Sequence, residues 1–305
     1  MNDIFSVKNK VIVITGAGRG IGKEISLKFV EEGAKVVVND FGGNRDGTGE
    51  GKVADEVVEE IIKLGGEAVA NYDNVAYVEG GQNIFKTAID NYGALDILVN
   101  NAGILRDKTL YNMEESEWDV IMAVHLKGHY NCTRPFVRYI KDNNRTNCRI
   151  LNMSSVSGLF GNFGQTNYGA AKAGIAGFTR SLALEVAKYK CTVNTISPGA
   201  ATRLTLDLIE GSGRKYDEND WTQGPEQIAP VAAWLCTDSA QEVTSQIIHS
   251  QGGVLGIMQQ PAVIKSFSTD EIWSLELLDK LIPELVEAKK HHDKQVSESG
   301  SPKKV

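Results

Sequence analysis

Tyr168 and Lys172 stand four residues apart in YGAAK, so on a helix both side chains fall on one face. A phenol with an ordinary pKa of about 10 is a poor acid or base at neutral pH. An ammonium beside it favours the phenolate and draws that pKa toward the working range. The pair can then pass a proton to or from a substrate oxygen; taken alone, it can equally be one side of a helix. His125 and His129 in MAVHLKGHY have the same spacing, which is that of two zinc ligands on a helix. The stretch lacks the glutamate of H-E-x-x-H. No third His, Cys or acid is obviously placed to complete a site, so no metal is expected.

A second kind of chemistry is suggested by TGAGRGIG at Thr15–Gly22. Glycines let a backbone turn tightly and approach a pyrophosphate closely, and the helix that follows offers unpaired N–H groups and a partial positive charge. Such a run can be only a turn, but its place between a first strand and a first helix marks a dinucleotide site. Gly16, Arg19, Gly20 and Ile21 are expected to touch the cofactor. Asp40 ends the second strand, where a carboxylate accepts hydrogen bonds from ribose hydroxyls and repels a 2′-phosphate. Its alternative role is to cap the following loop. Arg19 pulls toward a 2′-phosphate; the charge of Asp40 makes NAD the expected cofactor and NADP the alternative.

Such groups need a scaffold, and the sequence alternates accordingly. Short apolar runs at 10–15, 35–39, 96–100, 149–153, 192–197 and 245–249 are separated by helical patterns at 23–32, 53–64, 80–92, 114–139, 168–188 and 226–238. This order implies right-handed crossovers and an α/β Rossmann-type doubly wound parallel sheet with helices on both faces. Residues 1–255 are read as one dinucleotide-binding domain that includes the catalytic site, and 256–305 as a C-terminal helical appendage. Ser268-Thr-Asp-Glu271 has the form of a capping box, apolar residues recur at helical spacing near 269–287, and Pro283 should break or restart the helix. After about residue 289 the polar, charged composition predicts disorder.

The chain of 305 residues carries 32 Lys and Arg against 39 Asp and Glu, a net charge of −7. That balance argues against a nucleic-acid partner. Cys132, Cys148, Cys191 and Cys236 form no C-x-x-C pair, a pattern of reduced thiols. MNDIFSVKNK has no apolar signal region, no apolar run approaches bilayer length, and SPKKV does not match S-K-L. A cytoplasmic protein without membrane attachment is expected, with a peroxisomal one as the alternative.

TGAGRGIG, NNAG at Asn100–Gly103, the serine of NMSS, YGAAK and SPG at Ser197–Gly199 occur in that order. Together they resemble the short-chain dehydrogenase/reductase family. The resemblance implies that Ser155, with a structural Ser154 beside it, orients the substrate oxygen, and that Lys172 also binds the nicotinamide ribose. Asn101, Ala102 and Gly103 should line the cofactor. Asn74 and Val75 should lie near adenine, Asn74 replacing the usual Asp, and Pro198 with Gly199 should close over the nicotinamide. Arg203 stands where the family often has a threonine, leaving Thr202 or backbone groups for the carboxamide, and residues 203–221 should shape the substrate pocket. His125 occupies the place of an asparagine in V-N-L-x-G that holds a water of the proton relay. An imidazole offers a donor and an acceptor, so His125 is either a relay member or a packed histidine, and His129 packing or subunit surface.

NDFGG, VANYDNV, NNAGILRD, VHLKGHY and GLFGNFGQTNYGAAKAGI more narrowly resemble the (3R)-hydroxyacyl-CoA dehydrogenase unit of peroxisomal multifunctional enzymes type 2 and their single-domain bacterial relatives. The implied reaction is NAD-dependent oxidation of a (3R)-3-hydroxyacyl-CoA, or a related secondary alcohol such as a 17β-hydroxysteroid, to the 3-oxo compound, in a homodimer or homotetramer. One alternative is an NADPH-dependent 3-oxoacyl-carrier-protein reductase. Another is a non-catalytic NAD-binding scaffold or sensor, which would be expected to lose Ser155, Tyr168 or Lys172.

Overall fold

The computed structural model describes residues 6–202, 217 and 220–299; Arg203 and most of the expected substrate-pocket loop lie outside the described residues. The chain divides into two compact units between Met258 and Gln259. The first is built on β1 (Val11–Thr15), β2 (Lys35–Asn39), β3 (Glu67–Asn71), β4 (Ile97–Asn100), β5 (Arg149–Met153), β6 (Thr192–Gly199), β7 (Ile247–Gln251) and β8 (Val254–Ile257). They form one sheet in the order β3-β2-β1-β4-β5-β6-β7-β8. Every pairing is parallel except the last, where β8 returns antiparallel to β7.

Helices cover both faces: α1 (Gly20–Glu31), α2 (Val53–Lys63) and α8 (Ala229–Leu235) on one, α3 (Val78–Tyr92), α5 (Gly128–Asp142) and α7 (Thr166–Val186) on the other. VIVIT and KVVVN are β-branched and nearly all buried because each face meets helices; Ile12 and Ile14 pack with Phe29 and Ile61, whereas Val13 and Val37 pack with Phe136 and Ile140. Strand order reverses between β1 and β4, and ligands of open α/β sheets bind at the carboxyl ends beside that switch.

Three departures from the sequence reading bear on the site. The pattern read as one helix over 114–139 is α4 (Glu115–Ile121), a π-helical turn at Met122–Lys127, and α5. β3 was not expected: EAVAN is a half-exposed edge strand with little β-branched character. The exposed edge strand β8 was not expected either, and it makes the sheet mixed rather than wholly parallel.

In the second unit, α9 runs Leu275–Ser299, through Pro283 and past residue 289. The expected capping box at Ser268–Glu271 does not start it; the Ser274 hydroxyl instead accepts from the Leu277 amide at 3.2 Å. Oppositely charged neighbours, Lys289–Asp293 and Glu287–Lys290, sustain the turns where composition predicted disorder. Among the described residues no helix is long and apolar enough to cross a membrane.

Candidate active site

Two cavities open at the switch point and share Ile21 and Thr202 in their walls. Gly16, Arg19, Gly20, Asp40, Asn74, Val75, Asn101, Ala102 and Gly103 line the first. Gly16 sits at φ +63° with Ala102 so close that a Cβ would lie 2.7 Å from its Cα. That close approach, and a first turn of α1 with no side-chain cap and no acid, fit a pyrophosphate resting on the helix N-terminus. The Asn101 amide donates to Thr15 O at 3.0 Å and Gly16 O at 2.9 Å, tying the turn to the end of β4. Asp40 fills both roles weighed from sequence: its carboxylate accepts the Gly18 and Gly42 amides at 2.9 and 2.8 Å, which caps the loop, while the residue still borders the cavity. A carboxylate has lone pairs left for ribose hydroxyls.

The second cavity, of about 760 Å³, is lined by Ser155, Tyr168, Pro198, Gly199, Leu105 and Gln165 among others. This is the size of a site for a ligand larger than the reacting group alone. Ser155 leaves the end of β5 and caps α6 (Val156–Phe160), accepting the Ser157 amide at 3.2 Å. Tyr168 and Lys172 lie on one face of α7, with the Lys172 Nζ 5.4 Å from the centre of the Tyr168 ring. Lys172 is buried and donates to Met153 O at 2.7 Å; Ser154 donates to Lys172 O at 2.8 Å and so serves the scaffold.

The electrostatics differ from the expectation that Lys172 lowers the tyrosine. Burial pushes Tyr168 up to about 12, against the hydrogen bond with Ser155, and brings Lys172 down to about 7. Desolvation penalises both charged forms, and the Asp107 carboxylate adds to the rise of the tyrosine. In the free protein Tyr168 is therefore a phenol.

His125 lies in the π-helical turn, fully enclosed. Its Nε2 is 2.8 Å from Ile104 O and 3.2 Å from Ile104 N. According to the tautomer, Nε2 donates to the Ile104 carbonyl or accepts the Ile104 amide, and Nδ1 is buried without a protein partner. Its ring meets Tyr168 edge to face at 5.1 Å and occupies the space a Cβ on Gly103 would need, 2.7 Å from Cε1. Burial and Lys172 hold His125 well below the usual imidazole range, and His129 falls to about 3 for the same reasons. His129 turns its Nδ1 back to His125 O at 2.5 Å, and its Nε2 is buried without a hydrogen-bond partner.

Several residues at the cavities were not read as site residues. Phe41, Gly43 and Asn44 of the β2–α2 loop border the first cavity, and Gln165 and Leu105 the second. The signal was available: all but Asn44, which follows directly, fall in NDFGG, GNFGQ and NNAGILRD, stretches that exceed the general pattern.

The family model for short chain dehydrogenases matches residues 10–208. A short-chain type dehydrogenase/reductase of Mycobacterium tuberculosis is 48% identical over 249 residues, 81% of this chain and 84% of the relative. Peroxisomal multifunctional enzyme type 2 of Mus musculus is 45% identical over 239 residues, 76% of this chain but 30% of that protein, so the similarity spans under a third of its length. The crystal structure of a short chain dehydrogenase from Mycobacterium avium superposes with a TM-score of 0.82 at 38% identity, covering 92% of this chain and 96% of that one. The chain belongs to the short-chain dehydrogenase family, oxidoreductases that act on CH–OH groups with a nicotinamide cofactor.

Proposed function

We propose that the protein is an NAD-dependent dehydrogenase that oxidises a (3R)-3-hydroxyacyl-CoA, or a related secondary alcohol such as a 17β-hydroxysteroid, to the 3-oxo compound. The observation that carries this reading is the cluster of Ser155, Tyr168 and Lys172 beside two adjoining cavities, one lined by glycine-rich backbone and Asp40, the other of about 760 Å³. Similarity to the multifunctional enzyme supports the acyl-CoA class.

Gly16, Gly20, Asn101 and Asp40 would hold the dinucleotide, and Thr202 borders both cavities where a carboxamide would lie. When bound, the nicotinamide supplies a hydride acceptor. Ser155 orients the substrate oxygen, and Tyr168 takes the hydroxyl proton as hydride leaves the carbon. Oxidation needs the phenolate whereas burial favours the phenol, so the oxidation rate is expected to rise with pH. The phenol is ready to donate a proton in the reverse direction.

The reductase reading has one observation in its favour: the exposed Arg19 borders the cofactor cavity. Initial rates with (3R)- and (3S)-3-hydroxyacyl-CoAs of several lengths, oestradiol and both cofactors decide between them. Preference for the (3S) series overturns the substrate class, and a tenfold preference for NADPH overturns the reading of Asp40. Tyr168→Phe should bind NADH and lose turnover; full turnover would remove the mechanism.

Four free cysteines support a reducing compartment such as the cytoplasm. A homodimer or homotetramer is the assembly expected; light scattering at micromolar concentration tests it.

A further inference from the structure

Three stretches that set this sequence apart, NDFGG with its glycine-rich continuation, NNAGILRD and GNFGQTNY, meet in one network beside Tyr168. The β2–α2 loop borders the cofactor cavity through Phe41, Gly43, Asn44 and Gly47. It is fastened to the segment after β4 twice: the Leu105 amide donates to Arg45 O at 3.0 Å, and Arg106 Nε donates to Asp46 O at 2.6 Å. The next residue holds Gln165, which lines the other cavity. Asp107 Oδ2 accepts from Gln165 Nε2 at 2.7 Å, and the backbones of Lys108 and Gln165 pair as a parallel bridge.

Gln165 directly precedes α7, the helix of Tyr168 and Lys172, and its carbonyl accepts the Gly169 amide at 2.7 Å. Beside it, the wholly buried Asn167 donates to Arg106 O at 2.9 Å and Glu117 O at 3.1 Å. Asp107 is kept as an acid at a cost. Its Oδ1 is buried without a partner, and burial raises its pKa against the Gln165 bond and the charge of Arg45. An acceptor so placed is worth keeping where its geometry matters.

We propose that Arg106 and Asp107 are positioning residues with divided tasks: Arg106 fixes the loop that borders the cofactor cavity, and Asp107, through Gln165, fixes the first turn of α7 and with it the catalytic tyrosine. The proposal rests on the reading of Tyr168 as the acid/base.

Gln165→Glu sets a carboxylate against the Asp107 carboxylate while keeping the acceptor that Asn162 uses at 3.0 Å. At pH 8, with a short (3R)-3-hydroxyacyl-CoA and NAD, its kcat should fall tenfold or more while KM for NAD changes less than threefold. Amide exchange over residues 166–169 should quicken. Adding Asp107→Asn rebuilds the bond with donor and acceptor exchanged, and should restore kcat to within threefold and the slow exchange. Arg106→Met should do the reverse, raising the Kd for NADH, read by fluorescence, about tenfold and lowering kcat at saturating cofactor less than threefold.

Wild-type kcat in Gln165→Glu, or a double variant no better than the single, overturns the role of Asp107. An unchanged Kd for NADH in Arg106→Met overturns the role of Arg106. If Gln165→Glu does not fold, Asp107→Ala, which removes the acceptor alone, must show the same loss of kcat. Tyr168→Phe assayed in parallel separates the two failures: its full turnover would refute the acid/base reading whatever the pair does.

Discussion

A single methyl group at Gly103 tests the packing behind the proposed catalytic tyrosine. In Gly103→Ala the new Cβ would lie 2.7 Å from His125 Cε1, where ordinary contact begins near 3.4 Å. The imidazole must retreat by roughly 0.7–1 Å to restore that contact. It is enclosed on all sides, and its hydrogen bond to Ile104 O at 2.8 Å stretches beyond useful range if it moves that far. Overpacking of this kind costs about 1–3 kcal/mol, and leaving a buried polar group without its partner costs about 1–3 kcal/mol more. The sum, about 2–6 kcal/mol, is a large share of the ~5–15 kcal/mol by which domains are stable. Urea unfolding should show the midpoint falling with the slope unchanged. The cycle with His125→Ala sharpens the test: if the clash is the cause, Gly103→Ala should cost much less once the ring is gone. A Gly103→Ala protein within 0.5 kcal/mol of wild type, or a cycle additive to about 0.5 kcal/mol, would refute the reasoning.

Three other outcomes follow from the same geometry. Lys172 falls from 10.5 unfolded to about 7 folded, so between those values the unfolded chain holds the extra proton and stability should rise with pH. The difference between wild type and Lys172→Met over pH 7–8.5 isolates it, at about 1 kcal/mol per pH unit; a flat difference would refute it. His125 should stay neutral in imidazole NMR from pH 5 to 8, and His125→Asn should remove no near-neutral step from the pH–rate profile; imidazolium in that window would revive a proton-carrying role. Ser154→Ala should lose about 1 kcal/mol of stability with activity within threefold, whereas Ser155→Ala should lose activity at least a hundredfold, together with about 1 kcal/mol of stability from the lost cap of α6; equal losses of activity at the two serines would contradict the assignment.

How much of this was legible depends on range. The glycine turn and the Tyr168–Lys172 face are local patterns, fixed by spacing along one strand-turn-helix or one helix, and the structure sets them at the two cavities. VIVIT and KVVVN declare buried strands because burial on both faces removes polar alternation. EAVAN and VLGI are edges whose conformation comes from a neighbour. The tyrosine's acidity also escaped the sequence: the i,i+4 lysine is visible in it, but the desolvation that raises the tyrosine comes from residues distant in the chain. The same holds for His125, whose partner Ile104 is supplied by another element.

The π-helical turn at Met122–Lys127 has a consequence for numbering as much as for chemistry. Such a turn carries a residue more than an α-helix needs, so it is the place where a relative can differ in length by one without breaking the helix. A one-residue deletion there would leave a regular helix that looks harmless in an alignment. It would also rotate everything on one side of the deletion by about 100° relative to the other, carrying His125 away from Ile104 or the outer face of α5 away from its present direction. An insertion or deletion at this point is therefore a change of rotational register, and its effects should resemble those of many simultaneous substitutions.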